Sequence, residues 1–388
     1  MSRRTGVAQL IMLTTIAMAG GRSSGAADWS NTLDANASAA YVINPRMVAG
    51  DNNTADETAQ VTLDGSTTAQ TERGQLSLTP RFSAVRFVHE TDLDIETGSL
   101  DLTYMEKLER GQWSIEATGL SDSTVTSELG TTGVTYVNRR HTQGNLSLGY
   151  QFFTTERLSW QLEGSGQITR YSDATEFGLT NYDYGSVQFG PMWNFSERVT
   201  GSIFLEADRL DPQTGARQND YSAYAQLQRN FSEQYAWRVS AGGTRTDYGE
   251  SYGAAGPQTT SRYELGANRK GERVQWDVSI RRAVLPIGIA LLAPETVAAL
   301  AMTVGTSEHS TLNIAANGIR TDSVTVGEHA IYSGATWGQL SAEWRYQFAA
   351  HWTASASYTQ GRSRVNPATE WANGEQARLS IFWNSGRL

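Results

Sequence analysis

The sequence contains no cysteine. A disulfide framework, a thiolate metal site and a lipoprotein anchor are therefore excluded together. Lysine is nearly missing as well: Lys107 and Lys270 stand alone among 31 basic residues. A formal charge of −9 leaves no basic surface to neutralise phosphates, which argues against a nucleic-acid partner. Long hydrophobic runs are scarce, and the mean hydropathy is negative. Two stretches come closest to a spanning helix. Residues 7–19 fall short of the roughly 20 apolar residues that a bilayer requires. Residues 283–304 are long enough, but Pro286, Gly288, Pro294 and Glu295 break helical hydrogen bonding and place a charge at the centre. That stretch reads as a strand, an apolar loop from Leu285 to Glu295, and a second strand.

The first of these stretches has another use. Arg3 and Arg4 precede it, and a run of small residues that includes Ser24, Gly25 and Ala26 follows it. A positive start, a short apolar segment and a small-residue exit make a secretory signal peptide, cleaved after Ala26 or Ala27. Residues 1–26 are thus expected to be removed, leaving 27–388 as one mature domain.

Within the mature part, one small pattern keeps returning. It reads Thr71-Glu72-Arg73-Gly74, Glu109-Arg110-Gly111, Thr155-Glu156-Arg157, Ser196-Glu197-Arg198, Ser232-Glu233-Gln234 and Gly271-Glu272-Arg273, with weaker copies at Ser307-Glu308-His309 and Ala349-Ala350-His351. The copies stand roughly 36 to 47 residues apart, the period of a repeated hairpin. Alternating residues flank each turn. Leu158, Trp160, Leu162, Gly164 and Ile168 share one face of a strand, and Ser159, Gln161, Glu163, Ser165 and Gln167 share the other. A period of two with one apolar and one wet face marks a strand between two different media. These strands run to about ten residues or more, against five or six in soluble proteins, which suits a wall between lipid and water.

Aromatic residues are placed with equal regularity. Trp113, Trp160, Trp237, Trp276 and Trp352 follow a short turn, while Phe152, Phe195, Phe231 and Phe348 precede one. Amphipathic rings collect at the headgroup level, so this belt is expected at the periplasmic rim. The alternate connections are long and polar, near 45–58, 122–138, 211–219, 248–258, 322–333 and 364–373. The resulting expectation is all-β: a transmembrane, antiparallel, up-and-down β-barrel of about 18 strands, with short periplasmic turns and longer extracellular loops. Pro80 and Pro191 fall within strands, where proline removes a ladder donor. The last strand alternates through Leu379, Ile381 and Trp383, resembling an outer-membrane assembly signal, although residues 384–388 follow the aromatic.

The chemical inventory is thin. Five histidines, His89, His141, His309, His329 and His351, are scattered without metal-binding spacing and read as solvated loop or turn residues. No Ser, His and acidic constellation can be picked out, so neither an enzyme nor a cofactor or metal is expected. The working surface is instead the inner wall. Alternation places Asp101, Glu116, Glu163, Glu206, Asp208, Arg238, Glu264, Asp277, Arg281, Glu343, Arg345 and Arg378 there. These charges either pair to brace the wall or line a hydrated path for a polyhydroxylated solute. Barrels of about 16 to 18 strands are wide enough for water unless plugged. No segment is left over for a globular plug domain, and the 285–295 loop could fold inward as a constriction or face a partner.

With Tyr41 and Asn44-Pro45 near the start, the Ser/Thr-Glu-Arg turns and the hairpin period, the mature chain resembles the β-barrel proteins associated with bacterial exopolysaccharide export. That resemblance implies an outer-membrane exit route for a secreted polysaccharide, with periplasmic polysaccharide-export partners. A porin for passive diffusion of small hydrophilic solutes, or a barrel with an adhesion, assembly or enzymatic role, remain alternatives. In each case the expected surroundings are outer-membrane lipid, lipopolysaccharide and the assembly machinery of a Gram-negative cell.

Overall fold

The structure, a computed structural model, describes residues 27–50, 54–128, 138–173, 178–249, 257–326, 329–366, 368 and 370–386. The expected signal peptide at 1–26 lies outside the described residues, as do parts of the long connections at 45–58, 122–138, 248–258, 322–333 and 364–373.

Eighteen strands form one sheet. The first nine are β1 (Asp28–Ile43), β2 (Ala55–Gln70), β3 (Gly74–Phe87), β4 (Ile95–Leu108), β5 (Gly111–Ser123), β6 (Arg140–Phe153), β7 (Leu158–Tyr171), β8 (Tyr182–Ser196) and β9 (Val199–Pro212). They continue with β10 (Gln218–Asn230), β11 (Tyr235–Asp247), β12 (Gln258–Lys270), β13 (Val274–Ile287), β14 (Leu291–Gly305), β15 (Ser310–Thr321), β18 (Ala335–Ala349), β19 (Trp352–Val365) and β20 (Ala372–Asn384). Two short strands, β16 (Val324–Val326) and β17 (His329–Tyr332), make a separate hairpin in a stretch that reads as polar loop from sequence. Every neighbouring pair in the large sheet is antiparallel and sequential, and β1 pairs with both β2 and β20. The sheet is therefore a closed barrel, in which the first and last strands pair with each other instead of facing hydrocarbon as open edges.

The repeated turn motif has a local cause. The Thr71 hydroxyl accepts a hydrogen bond from Gly74 N at 2.8 Å, and that of Thr155 accepts from Leu158 N at 3.0 Å. Ser232 and Ser307 do the same for Tyr235 N and His309 N. Each hydroxyl caps the amides of its own turn, so a hairpin can reverse within a few residues.

Two ladders are interrupted where proline requires it. The β2–β3 register runs Asp64 to Arg81 and resumes at Thr67 to Leu78, leaving a gap opposite Pro80. The β8–β9 register skips from Phe189–Leu205 to Met192–Ser202 around Pro191. Gly190 makes the second gap possible, because a Cβ there would collide with the Ile203 carbonyl oxygen. Asn44 is also structural: at φ 50° it turns the chain after β1, and its amide donates to Val48 O and to Asn373 O at 2.8 Å.

Candidate channel and its constriction

The two faces of the wall are distinguished by which side chains meet across it. Arg262 on β12 pairs with Glu206 on β9 at 2.9 Å, and Tyr224 on β10 donates to Gln188 on β8 at 2.6 Å. Side chains that reach past intervening strands converge only on the concave side, so these residues point into the lumen. The opposite parity carries Leu205, 60% exposed, Ile168 at 53% and Leu379 at 68%. Residues directly across a ladder share a face, and the register thus assigns every strand.

All twelve charged residues picked out from the sequence alternate onto the inner face. The structure brings some of them together. Arg238 donates to Glu264 at 2.9 Å, Arg345 to Glu343 at 2.8 Å, and Glu206 is held by Arg262. Arg281 lies across the ladder from Glu264, and Asp208 lies across from Asp220. Asp101, Glu116, Glu163, Asp277 and Arg378 form no salt bridge among the described residues and lie opposite polar or small neighbours such as Thr118, Ser147, Gln188, Ala301 and Ser357.

The nine aromatics of the expected belt gather at the short-turn rim on the outer face. Trp113 lies against Tyr150 at 4.9 Å between ring centroids, and Trp160 stacks on Phe189 at 5.3 Å. Phe195 covers Gly201, and Arg229 lies 4.5 Å over the Phe231 ring. Trp237, Trp276, Phe348 and Phe152 continue the row, and Trp352 pairs with Trp383 across the β19–β20 ladder. Leu379, Ile381 and Trp383 point outward along the closing seam, opposite Ala39, Ala37 and Ala35 of β1.

The lumen is not open throughout. Pairing of β13 with β12 ends at Arg282, and pairing of β14 with β15 begins only at Glu295. Between these points β13 and β14 pair with each other alone, out to Ile287 and Leu291. Residues 283–294 therefore leave the wall as a free hairpin with a tight turn, where sequence suggests an irregular loop. Among the described residues its outer sides carry no ladder beyond one hydrogen bond, from Asp322 N to Pro294 O at 2.9 Å, so Pro286 and Pro294 sit within its strands without removing a donor from the wall.

This hairpin folds inward and lands on β7 to β10. Ile287, Leu291, Leu292 and Ala293 are at most 1% exposed, packed with Tyr171, Leu179, Tyr182, Leu210, Val324 and Tyr332. Burying each large aliphatic side chain stabilises by about 1.5–3 kcal/mol, more than a typical net hydrogen bond of about 1 kcal/mol. Packing thus holds the hairpin, and polar contacts set its position. Gln218, with no exposed surface, donates to Ala290 O at 3.0 Å and accepts from Leu292 N at 2.8 Å. Thr180 N donates to Gly288 O at 3.0 Å. Gly288 lies so close to the Glu128 carboxylate that a Cβ would collide with it. Glu128 in turn accepts from the Tyr171 hydroxyl at 2.5 Å.

One histidine departs from the solvated reading. His141 is 3% exposed, bonded through Nδ1 to Asp122 at 2.6 Å and stacked on Tyr171 at 5.0 Å. It braces the wall beneath the hairpin's landing site. Gln218, Asp220, Thr246, Arg262 and Tyr171 escaped the sequence reading. The alternation of Asp220, Ser222, Tyr224 and Gln226 against Tyr221, Ala223, Ala225 and Leu227 carried the signal for β10. Its start, however, looked like the end of a polar loop.

The molecule is a closed β-barrel of the outer-membrane type with one of its own hairpins folded into the lumen. No protein-family model matches the sequence, and no curated protein does. Solved structures share its overall outline. OccAB3 of Acinetobacter baumannii is 9% identical, with 93% of this chain and all of that chain covered, at a TM-score of 0.46. OccK5 (OpdH) of Pseudomonas aeruginosa is 10% identical over 92% and 98% of the two chains, at 0.45. The FrpB iron transporter of Neisseria meningitidis is 8% identical over 95% and 83%, also at 0.45. Likenesses at this level identify neither a family nor a solute.

Proposed function

We propose that the protein is a narrow diffusion channel for small hydrophilic solutes in the outer membrane. The observation that carries this reading is the inward hairpin. A closed 18-stranded wall encloses a wet, mixed-charge lumen, and residues 283–294 cross it near the long-loop end. Such a constriction favours solutes of small cross-section over a polymer. An exit route for polysaccharide, served by periplasmic export partners, finds no particular support in the geometry. Paired arginines and carboxylates, together with the Ser, Thr, Gln and Asn side chains between them, offer hydrogen bonds to polyhydroxylated or zwitterionic solutes in either direction of flow.

Single-channel conductance in planar bilayers tests the reading. The full chain should conduct weakly, and a variant in which residues 284–293 are replaced by a two-residue Asn-Gly turn should conduct several-fold more. Liposome swelling should admit mono- and disaccharides through the variant faster than through the parent. Equal conductance of the two would remove the constriction from the account.

A further inference from the structure

The hairpin rests on β9 and β10, where inward residues stack in layers. Leu210 and Gln218, paired across the ladder, form the layer that touches the hairpin. The next layer down is Asp208, Asp220 and Thr246, paired in sequence across β9, β10 and β11. In the third, Glu206 is met by Arg262, and Ser222 shares a hydrogen bond of 2.6 Å with Thr244.

The middle layer is unlike its neighbours. Asp208, Asp220 and Thr246 are 5%, 1% and 1% exposed. One carboxylate oxygen of each aspartate is buried with no hydrogen-bond partner among the described residues, and so is the Thr246 hydroxyl. Thr246 is not acidic, yet its orphan oxygen lies directly across the ladder from Asp220. Directly opposed side chains have Cβ atoms about 4.5–5.5 Å apart, and like charges at that spacing repel. Arg262 lies near them but forms its salt bridge with Glu206 and sits 4.1 Å from the centroid of the Tyr224 ring, so among the described residues it closes no ion pair with either aspartate. Three inward oxygens without donors, two of them carboxylate, ask for a cation. All the donors are hard oxygens with no sulfur or imidazole among them, which selects the alkaline-earth ions. Calcium accepts irregular sets of about six to eight oxygens, whereas magnesium demands a near-ideal octahedron.

We propose that Asp208, Asp220 and Thr246 bind a calcium ion in the layer beneath the constriction. The ion bridges β9, β10 and β11 one step below Leu210 and Gln218, and so stiffens the platform on which the hairpin lies. The site does not depend on what the channel passes.

Full-length mature chain, refolded in lipopolysaccharide-free detergent and stripped with chelator, tests this with calcium chloride as the only added ligand. Calorimetric titration and thermal unfolding should show saturable binding and a rise in melting temperature, with magnesium at least tenfold weaker. D208N/D220N should abolish both responses. T246V keeps both carboxylates and the fold, and should weaken calcium about tenfold. Folding of each variant is checked by its strand circular dichroism, and if the double variant fails to fold, T246V decides alone. Absence of any calcium response in the parent between pH 6 and 8 would mean that the two aspartates share a proton instead, and the proposal falls. Undiminished binding in the folded variants would place the ion elsewhere and overturn it equally.

Discussion

Gln218 is a polar side chain without exposed surface, and both ends of its amide go to one backbone segment far away in sequence. Replacing it by alanine leaves a buried carbonyl and a buried N–H unpaired, each at about 1–3 kcal/mol. Gln218→Ala should therefore loosen the hairpin without unfolding the wall, and bilayer recordings should show larger, noisier conductance than the parent. A second residue-scale contact lies outside the membrane. Arg46 donates to Asp92 at 2.6 Å and also to Glu90, joining the connection after β1 to the one after β3. Hydrogen bonding from Arg46 holds the Asp92 carboxyl below its usual range. A carboxyl lowered by folding contributes stability above its unfolded pKa of about 4 and loses it as pH falls through the folded value. Amide-exchange protection at Leu93 and Asp94 should thus decline as pH drops from about 5 to about 3. In Arg46→Gln it should already be low and flat over the same interval.

At the scale of the element, the hairpin of residues 283–294 is the part whose position is decided by packing. Its tip has no polar face, so it cannot stay in water above the barrel without exposing Ile287, Leu291 and Leu292. Leu292→Asp places a carboxylate in that apolar cluster, and an unpaired buried charge is too costly to keep there. The hairpin should be expelled, with a conductance close to that of the shortened-turn variant. A different element-scale constraint operates between β8 and β9. Gly190→Val would drive a side chain into the Ile203 carbonyl, in backbone that has no room to yield. Refolding yield into vesicles should drop sharply, while Gly178→Ala, at a position with nothing within 4 Å but a φ of +72°, should cost only about 1 kcal/mol.

The whole molecule depends on closure. β20 meets β1 along a seam whose outer face alternates Leu379 and Ile381 with the alanines of its partners. A charge on the lipid side of a barrel costs up to about 2–4 kcal/mol, whereas the lumen side is hydrated. Leu379→Arg should accordingly reduce stability toward urea in lipid vesicles by that order. Thr359→Arg, inward on neighbouring β19, should have a small effect on stability and a visible one on ion selectivity. If both substitutions destabilised equally, the assignment of inner and outer faces would be wrong.

The chain's alternation and its turn chemistry determined the barrel. A period of two needs no tertiary information, because a strand between lipid and water must sort its residues by face. Turns capped by Ser or Thr hydroxyls carry their own instructions over three or four residues. Strand number and the up-and-down closed wall were legible for that reason. What only the folded barrel decided is whatever joins strands distant in sequence: the meeting of Glu206 with Arg262, the row of Asp208, Asp220 and Thr246, and the place where the apolar hairpin comes to rest. These contacts depend on curvature, which converges side chains along chords that no local pattern records. Pro80 and Pro191 belong to the same class, since a gap in a ladder is a property of the pair of strands and not of either one alone.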